Sequence, residues 1–415
     1  MKICQINSVY AQGSTGKIVQ ELHTTLIDAG HESFVIYGDR KGNPNYQNTF
    51  SVSNKYLRRL SVLISRIIGL QYNGATFETL KLIRRIKKIK PDIVHIQNIN
   101  GGFVNIYKLL SFLAISNIKT VISLHAEFMY TGSCGHAIEC NKWKTGCGNC
   151  PRPLQATKSY FFDRSALAWQ KMKSCFELFN KNNIVITAVS EWVRDRALLS
   201  PILNGLKPLV IHNGINDIVF SPKSYGEISS KYKLNSEIII LYVTAYFEKE
   251  TDGHKGGKFI LQLAELLKTY KVKIIIAANY GNGHGLPENI IYHGRTKTQI
   301  ELAQLYSLAD LTVITSIRET FSMPVAESLC CGTPVVGFKA GGPESIALRD
   351  YSEFVEYGDL DDLYHTVLRW MRKKKDCPER FADLPRIASL TYSKQQMTNN
   401  FINIYNKLNS QQNLF

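Results

Sequence analysis

The chain has 415 residues, of which 44% are hydrophobic and 20% charged, a composition typical of globular rather than disordered proteins. This length predicts two domains, because a single core stops growing near about 250–300 residues. No stretch approaches the ~18 consecutive apolar residues of a membrane-spanning helix. The N-terminus shows no signal-peptide pattern, so we expect a cytoplasmic protein whose nine cysteines are thiols or metal ligands rather than disulfides.

The net charge of +16 is concentrated in the first half of the chain. Up to residue 200 there are 26 Lys and Arg against 12 Asp and Glu, whereas the remainder is nearly balanced. Such asymmetry indicates an anionic partner for the first half: nucleic acid, membrane lipid or a phosphorylated substrate. An ordinary solvated basic face is the alternative.

The first half alternates strand and helix patterns. Strands are predicted at residues 2–8, 33–37, 92–97, 119–124 and 184–188. Helices are predicted at residues 18–29, 57–70, 80–90, 107–115 and 190–199, with Pro91 ending the third and Ser190 capping the last.

The second half repeats the alternation. Strands are predicted at residues 237–244, 272–278, 311–315 and 334–338, and helices at 258–269, 299–308 and 324–331. This order predicts an α/β protein with two Rossmann-like, doubly wound parallel sheets. The expected domains are residues 1–210, residues 211–390, and a C-terminal helix at 391–415 that packs back toward the first domain. Two such sheets facing a cleft would place a ligand beyond the carboxyl ends of their strands.

The clearest chemical motif is ETFSMPVAES, in which Glu319 and Glu327 are eight residues apart. Pro324 suits the first turn of a helix that carries Glu327. The backbone N–H groups of Phe321, Ser322 and Met323 lie at this helix start, where they can bind an anion such as a diphosphate. The two carboxylates could then accept hydrogen bonds from hydroxyls on both sides of that phosphate, as a nucleoside diphosphate sugar requires.

Residues 315–345 resemble the donor-site signature of the retaining family 4 glycosyltransferases, which have the GT-B architecture. The matching positions are Glu319, Glu327, Cys331, Gly332, Pro334, Val335, Val336, Gly341 and Gly342. The segments AQGSTGK, HNGIN and HKGG resemble further family motifs in the same order, so the resemblance covers nearly the whole chain.

The resemblance implies a role for each matching residue. Glu319 would contact the donor sugar, Glu327 the ribose, and Lys255 the leaving diphosphate, while the loop from Gly13 to Gly16 would abut the donor phosphates. His125, after the strand at 119–124, would lie near the reacting sugar. The family's retaining reaction uses no protein nucleophile and no obligatory metal, so no cofactor is expected for catalysis.

Two positions depart from the family pattern. The family usually has an Arg shortly before the Lys, whereas this chain has TAYFEKETDGHKGG, in which Lys249 is the candidate substitute. Lys lacks the bidentate fork of Arg. The family often has His-Asp where this chain has His125-Ala126, with Glu127 next in sequence.

A cysteine-rich loop, expected at residues 125–155, contains the second motif. Its cysteines are Cys134, Cys140, Cys147 and Cys150. Four thiolates at this spacing could hold a structural zinc, with His136 as an alternative ligand and disulfides or free thiols as alternatives. The loop resembles one found in the subgroup that builds capsular, colanic-acid-type and O-antigen polysaccharides.

Two basic segments give the third feature. Residues 57–70 place an apolar stripe on one helical face with Arg58, Arg59 and Arg66 off it. Residues 80–90 add the basic side chains of Arg84, Arg85, Lys87, Lys88 and Lys90. The stripe either faces the protein core or docks on anionic lipid, at the inner face of the cytoplasmic membrane.

These features predict a hexosyltransferase that moves a sugar from a nucleotide-sugar donor to a glycan acceptor, expected to be lipid-linked, in bacterial surface polysaccharide biosynthesis. One alternative is a catalytically inactive sugar-nucleotide-binding or assembly protein of the same fold. A basic nucleic-acid-binding protein is the other, although no recognised nucleic-acid-binding module is present.

Overall fold

The computed structural model describes residues 1–38, 46–248, 253–281 and 283–410. The chain forms two compact units. The first contains Met1–Ile211 together with Met397–Phe415, and the second contains His212–Gln396. The divisions therefore fall after residues 211 and 396, where the sequence predicted them after 210 and 390.

The first unit is built on a parallel sheet of seven strands. They are β1 (Lys2–Asn7), β2 (Glu32–Tyr37), β3 (Thr49–Ser51), β4 (Ile93–Ile96), β5 (Thr120–Leu124), β6 (Ile184–Ala188) and β7 (Leu209–Val210). Their order in the sheet is β3-β2-β1-β4-β5-β6-β7. Every residue of β4, β5 and β6 is buried, as expected for parallel strands covered by helices on both faces.

The helices of this unit follow the strands in sequence. They are α1 (Gly13–Asp28), α2 (Lys55–Ile68), α3 (Thr76–Ile89), α4 (Ile106–Ile115), α5 (Phe128–Thr131), α6 (Ser165–Glu177) and α7 (Glu191–Leu198). The Ser190 side chain accepts a hydrogen bond from the backbone N–H of Val193, which confirms the expected cap of α7.

The second unit contains a parallel sheet of six strands. They are β8 (Ile238–Tyr246), β9 (Val272–Tyr280), β10 (Ile290–Gly294), β11 (Leu311–Ile314), β12 (Val335–Phe338) and β13 (Ser352–Val355), in the order β10-β9-β8-β11-β12-β13. The helices are α8 (Gly226–Lys231), α9 (Gly257–Leu266), α10 (Gln299–Leu308), α11 (Met323–Cys330), α12 (Gly342–Ile346), α13 (Leu360–Asp376) and α14 (Leu384–Tyr392). The last helix, α15 (Lys394–Ser410), begins in this unit and belongs to the first unit from Met397 onward.

Both sheets have the doubly wound order expected from the sequence. In each, the strand order reverses beside the first strand of the unit, between β1 and β4 and between β8 and β11. Ligands of open parallel sheets bind at such switch points, beyond the carboxyl ends of the strands. The loops after these four strands, and after β5 next to β4, are therefore where functional side chains are expected.

Helix α2 contradicts one of the two interpretations of its sequence, namely that its apolar stripe packs against the protein core. Its apolar stripe does not face the core: Leu57, Leu60 and Leu63 are 41–54% exposed, and Ser65 is the buried residue of this helix. Among the described residues, no helix combines the length and apolarity needed to cross a bilayer.

Candidate functional site: the donor-site loops and the buried histidine network

Glu319 lies in the loop that follows β11, at the switch point of the second sheet. Its backbone N–H donates to the carbonyl of Ala340, and its carbonyl accepts from the N–H of Gly342, so the loop is fixed against the turn that follows β12. Gly342 is required here, because an added Cβ would lie 2.4 Å from the carbonyl carbon of Thr320. The Glu-containing loop and the Gly-Gly turn thus form one rigid support.

Lys255 and Glu319 form an ion pair, with Lys255 Nζ 2.9 Å from Glu319 Oε1. Lys255 immediately precedes Gly256, the N-cap of α9, and its carbonyl accepts hydrogen bonds from the hydroxyls of Tyr242 and Thr315. An added Cβ on Gly256 would lie 2.1 Å from the carbonyl oxygen of Thr315, so this glycine lets the loop reach the end of β11. The structure therefore brings together two residues that the sequence placed in the same donor site.

The pKa of Glu319 reflects two opposed effects. Burial alone would raise it, but Lys255 and a hydrogen bond from the Ser316 hydroxyl hold the pKa below its usual value. Glu319 is therefore an anion near neutral pH, able to accept a hydrogen bond from a sugar hydroxyl.

The start of α11 has an unusual backbone conformation. Ser322 caps the helix with φ of 81°, a left-handed conformation that is costly for a residue other than glycine. Its hydroxyl is buried without a well-formed hydrogen bond. Phe321 is buried against the ring of His212, and Met323 is half-buried at the first helical position.

Glu327 lies in the middle of α11 and is buried. Its Oε2 accepts a hydrogen bond of 3.1 Å from the hydroxyl of Tyr306, a fully buried residue of α10. This bond orients the carboxylate on the helix whose first turn the sequence predicts to bind a diphosphate. Sequence reasoning missed Tyr306, because its contact depends on the packing of α10 against α11.

Three further residues were predicted to belong to the donor site. Lys249, the candidate substitute for the family's Arg, lies outside the described residues. Gly13 is the exposed first residue of α1, at the switch point after β1. Gly16 is buried one turn later, where its carbonyl accepts a hydrogen bond from the N–H of Ala11 and holds the loop against the helix start.

His125 directly follows β5 and belongs to a buried hydrogen-bond network. Its Nε2 lies 2.7 Å from the amide oxygen of Gln97, the residue after β4. Because that oxygen only accepts, Nε2 carries the proton. Burial lowers the pKa of His125 to about 4, so the imidazole is neutral near neutral pH.

The network continues from Gln97 into the core of the first unit. The Gln97 amide nitrogen lies 3.3 Å from His95 Nδ1, and the same Nδ1 lies 2.6 Å from the hydroxyl of Tyr405 on α15. His95 Nε2 is 2.8 Å from the hydroxyl of Ser123. His125 is thus linked through Gln97 to His95 of β4, which contacts both Ser123 of β5 and Tyr405 of the C-terminal helix.

Glu127 does not extend this network. Its Oε1 accepts from Arg196 Nε at 2.6 Å, and its Oε2 accepts from the N–H of Ala137 at 2.6 Å. The side chain is fully buried, and Arg196 also stacks on Trp143. Glu127 therefore anchors the cysteine-rich loop to α7, a structural role that accounts for the acid next to Ala126.

The cysteine-rich loop is packed mainly around Trp143. This residue is 1% exposed, and its indole N–H donates to the carbonyl of Cys140. Burial, and to a smaller extent the charges of the neighbouring thiols, raises the pKa of Cys134 to about 12. Among the described residues, no group of three or more Cys, His, Asp or Glu is arranged to hold a metal ion. The structure therefore gives Cys134, Cys140, Cys147 and Cys150 no metal geometry, and zinc stays a prediction from their spacing.

Two doubly wound sheets, an acid–lysine pair at one switch point and a carboxylate on the adjoining helix define a GT-B glycosyltransferase. The pattern described as "Glycosyltransferase Family 4" matches residues 15–217, and that of "Glycosyl transferases group 1" matches residues 227–383. The chain therefore belongs to the family 4 and group 1 glycosyltransferases that these two patterns describe.

Similar proteins agree with this assignment. The putative colanic acid biosynthesis glycosyl transferase WcaC of Escherichia coli K12 is 21% identical over 98% of this chain and 100% of its own length. N-acetyl-alpha-D-glucosaminyl L-malate synthase of Bacillus anthracis is 22% identical over 46% of this chain and 51% of its own. Among solved structures, HepE of Anabaena in complex with UDP has a TM-score of 0.68 at 14% identity, covering 98% of this chain and 100% of its own.

Proposed function

We propose that this glycosyltransferase transfers a hexosyl group from a nucleoside diphosphate sugar with retention of the anomeric configuration. The observation that carries the proposal is the Lys255–Glu319 pair beside the start of α11, with Glu327 on the same helix. Structures of a relative in the same fold support a uridine nucleotide, since those of HepE contain UDP and UDP-glucose.

Each group of the second unit has a separate task in this proposal. The backbone N–H groups of Phe321, Ser322 and Met323 bind the diphosphate, Glu327 accepts from the ribose, and Glu319 accepts from a sugar hydroxyl. Lys255 has three N–H donors, of which one contacts Glu319, so the others can stabilise charge on the leaving phosphate. In the first unit, Gly13 and Gly16 border the donor phosphates and neutral His125 contacts the reacting sugar.

The reaction proceeds on one face of the sugar. The bond between the anomeric carbon and the phosphate oxygen breaks, the acceptor oxygen bonds to the same carbon, and the leaving diphosphate takes the acceptor's proton. A fixed ammonium group and a helix N-terminus supply the positive charge that this step needs, so we propose that it requires no metal.

The acceptor is proposed to be a lipid-linked glycan of bacterial surface polysaccharide biosynthesis, used at the cytoplasmic face of the membrane. The full-length similarity to a colanic acid biosynthesis protein supports this class of acceptor. Capsule and O-antigen assembly are included in the proposal, because the cysteine-rich loop resembles that of the subgroup that builds these polysaccharides. A structural zinc held by the four loop cysteines remains part of the proposal, as a scaffold without a catalytic role.

A panel of UDP-, GDP-, ADP- and CMP-sugars tests the function. First, thermal shift identifies the nucleotide, because a ligand that binds only the native state raises the melting temperature. Transfer to a polyprenyl-diphosphate glycan is then measured, and NMR gives the anomeric configuration of the product. Nucleotide binding without hydrolysis or transfer would instead indicate the inactive sugar-nucleotide-binding protein, and an inverted product would refute retention.

A further inference from the structure

Helix α2 turns its apolar stripe toward solvent. Six large side chains on this stripe are 41–77% exposed: Tyr56, Leu57, Leu60, Leu63, Ile64 and Ile67. At 100° per residue they span about one third of the helix circumference. A helix of a globular protein normally buries such a stripe.

The opposite face of α2 is packed closely against the first unit. An added Cβ on Gly74 would lie 2.4 Å from Ser65 Oγ, and one on Gly102 would lie 2.4 Å from Val62 Cγ2. Small residues thus make the intramolecular contact. The exposed stripe is therefore a consequence of how the helix is docked, and no rotation could bury it without breaking these contacts.

Aromatic side chains adjoin the C-terminal end of α2. The Arg66 guanidinium donates to the hydroxyl of Tyr160 at 3.0 Å, and the Tyr160 N–H donates to the Arg66 carbonyl. The next two residues, Phe161 and Phe162, are 74% and 52% exposed. Aromatic rings and arginines beside an apolar stripe are typical of surfaces that lie at a membrane interface.

A basic cavity of about 420 Å³ adjoins the other end of α2. It is lined by residues 50–54, which lead into the helix, and by Lys81, Arg84, Arg85 and Lys88 of α3. No acidic side chain lines it within the described part of the chain. Ser53 is 6% exposed, and neither its hydroxyl nor that of Ser51 has a hydrogen-bond partner among the described residues.

We propose that this cavity binds the headgroup phosphate of an anionic phospholipid while the α2 stripe enters the lipid layer. Two buried hydroxyls without partners, four cations and the N-terminus of a fourteen-residue helix supply the donors that a phosphate needs. The apolar stripe requires a ligand whose phosphate is joined to acyl chains, which selects a bilayer over free phosphate. This inference rests on the membrane-surface part of the proposed function and deepens it.

Vesicle binding without any sugar nucleotide tests the inference. Wild-type protein should co-sediment with phosphatidylglycerol vesicles and not with phosphatidylcholine vesicles. The double variant Arg84→Gln/Arg85→Gln should lower the partition coefficient at least tenfold, whereas Lys181→Gln/Lys207→Gln, which removes equal charge from exposed sites, should not. Ile64→Ser/Ile67→Ser should lose binding similarly, whereas Ile115→Ser/Leu178→Ser should keep it. Circular dichroism melting checks the folding of each variant.

Insertion has its own readout. The variant Leu60→Trp should add fluorescence that shifts to the blue with phosphatidylglycerol vesicles and is quenched by brominated acyl chains. Inorganic phosphate at the same phosphate concentration should not displace the vesicles. Wild-type protein in the supernatant, an unquenched signal from the introduced indole, or displacement by inorganic phosphate would each overturn the inference. Sugar-nucleotide hydrolysis is measured in a separate assay. Failure of the lipid-binding inference can therefore be distinguished from failure of the proposed transferase function.

Discussion

Replacing Glu327 by alanine should weaken nucleotide binding more than replacing Glu319. In the proposed complex Glu327 accepts a charge-assisted hydrogen bond from the ribose, which is worth about 1.5–3 kcal/mol. The loss corresponds to an increase in Kd of about 10- to 150-fold. Glu319 is assigned to the sugar, so Glu319→Ala should leave the Kd for free UDP within about twofold and depress transfer instead.

The structure also predicts a stability cost that must be separated from binding. Glu327→Ala removes the acceptor of the buried Tyr306 hydroxyl, which should destabilise the protein by about 1–3 kcal/mol. Tyr306→Phe removes the same hydrogen bond but keeps the carboxylate. It is therefore the matched control, expected to lower stability with a much smaller change in Kd.

Isothermal titration with UDP and denaturant unfolding of the variants provide the measurements. If the thermal-shift panel selects another diphosphate, that nucleotide replaces UDP. Equal weakening of free-diphosphate binding by Glu319→Ala and Glu327→Ala would refute the assignment of the two carboxylates. An equally large effect of Tyr306→Phe would show that Glu327 acts only by supporting the helix.

Three further predictions follow from the same geometry. His125→Ala should reduce turnover and leave nucleotide binding unchanged. The NMR titration of His125 should have its midpoint near pH 4, because burial lowers the pKa of the ring. A midpoint near the ordinary value of about 6.5 would contradict this prediction. The pKa of Glu319 is lowered, so its contribution to stability should be present above about pH 4.5 and lost as the pH falls through the folded-state pKa. The difference in thermal unfolding between wild type and Glu319→Gln should therefore be larger at pH 7 than at pH 3. Protein purified without a nickel column should contain about one zinc per chain by elemental analysis, and Cys147→Ser/Cys150→Ser should lose it. Purified wild type with less than a few tenths of an equivalent of zinc and with all four loop thiols freely titratable would rule the site out.

The doubly wound sheets were predictable because their strands are short apolar runs separated by helices of regular period. Four strands were not predicted. The strands β3 and β7, of three and two residues, are too short to show periodicity, and β10 and β13 were also missed. The start of α11 was also predicted correctly, because Pro324 marks the first turn of a helix whatever surrounds it.

Contacts between segments that are distant in the chain could not be predicted from the sequence. The Lys255–Glu319 pair joins residues 64 apart, and only the adjacency of β8 and β11 brings them together. Gln97 could have been identified as a partner of His125, since each follows one of two neighbouring parallel strands. For α2, periodicity predicts an amphipathic helix but cannot say which face docks, because that depends on the shape of the surface beneath it.

The hydrogen bond between His95 and Tyr405 joins residues 310 positions apart. During synthesis, all of the second unit must leave the ribosome before α15 can reach the first sheet. The nascent first unit therefore keeps the surface for Phe401 and Tyr405 uncovered until the second unit and these two residues have been translated. Its histidine network is completed last, although its strands are made first.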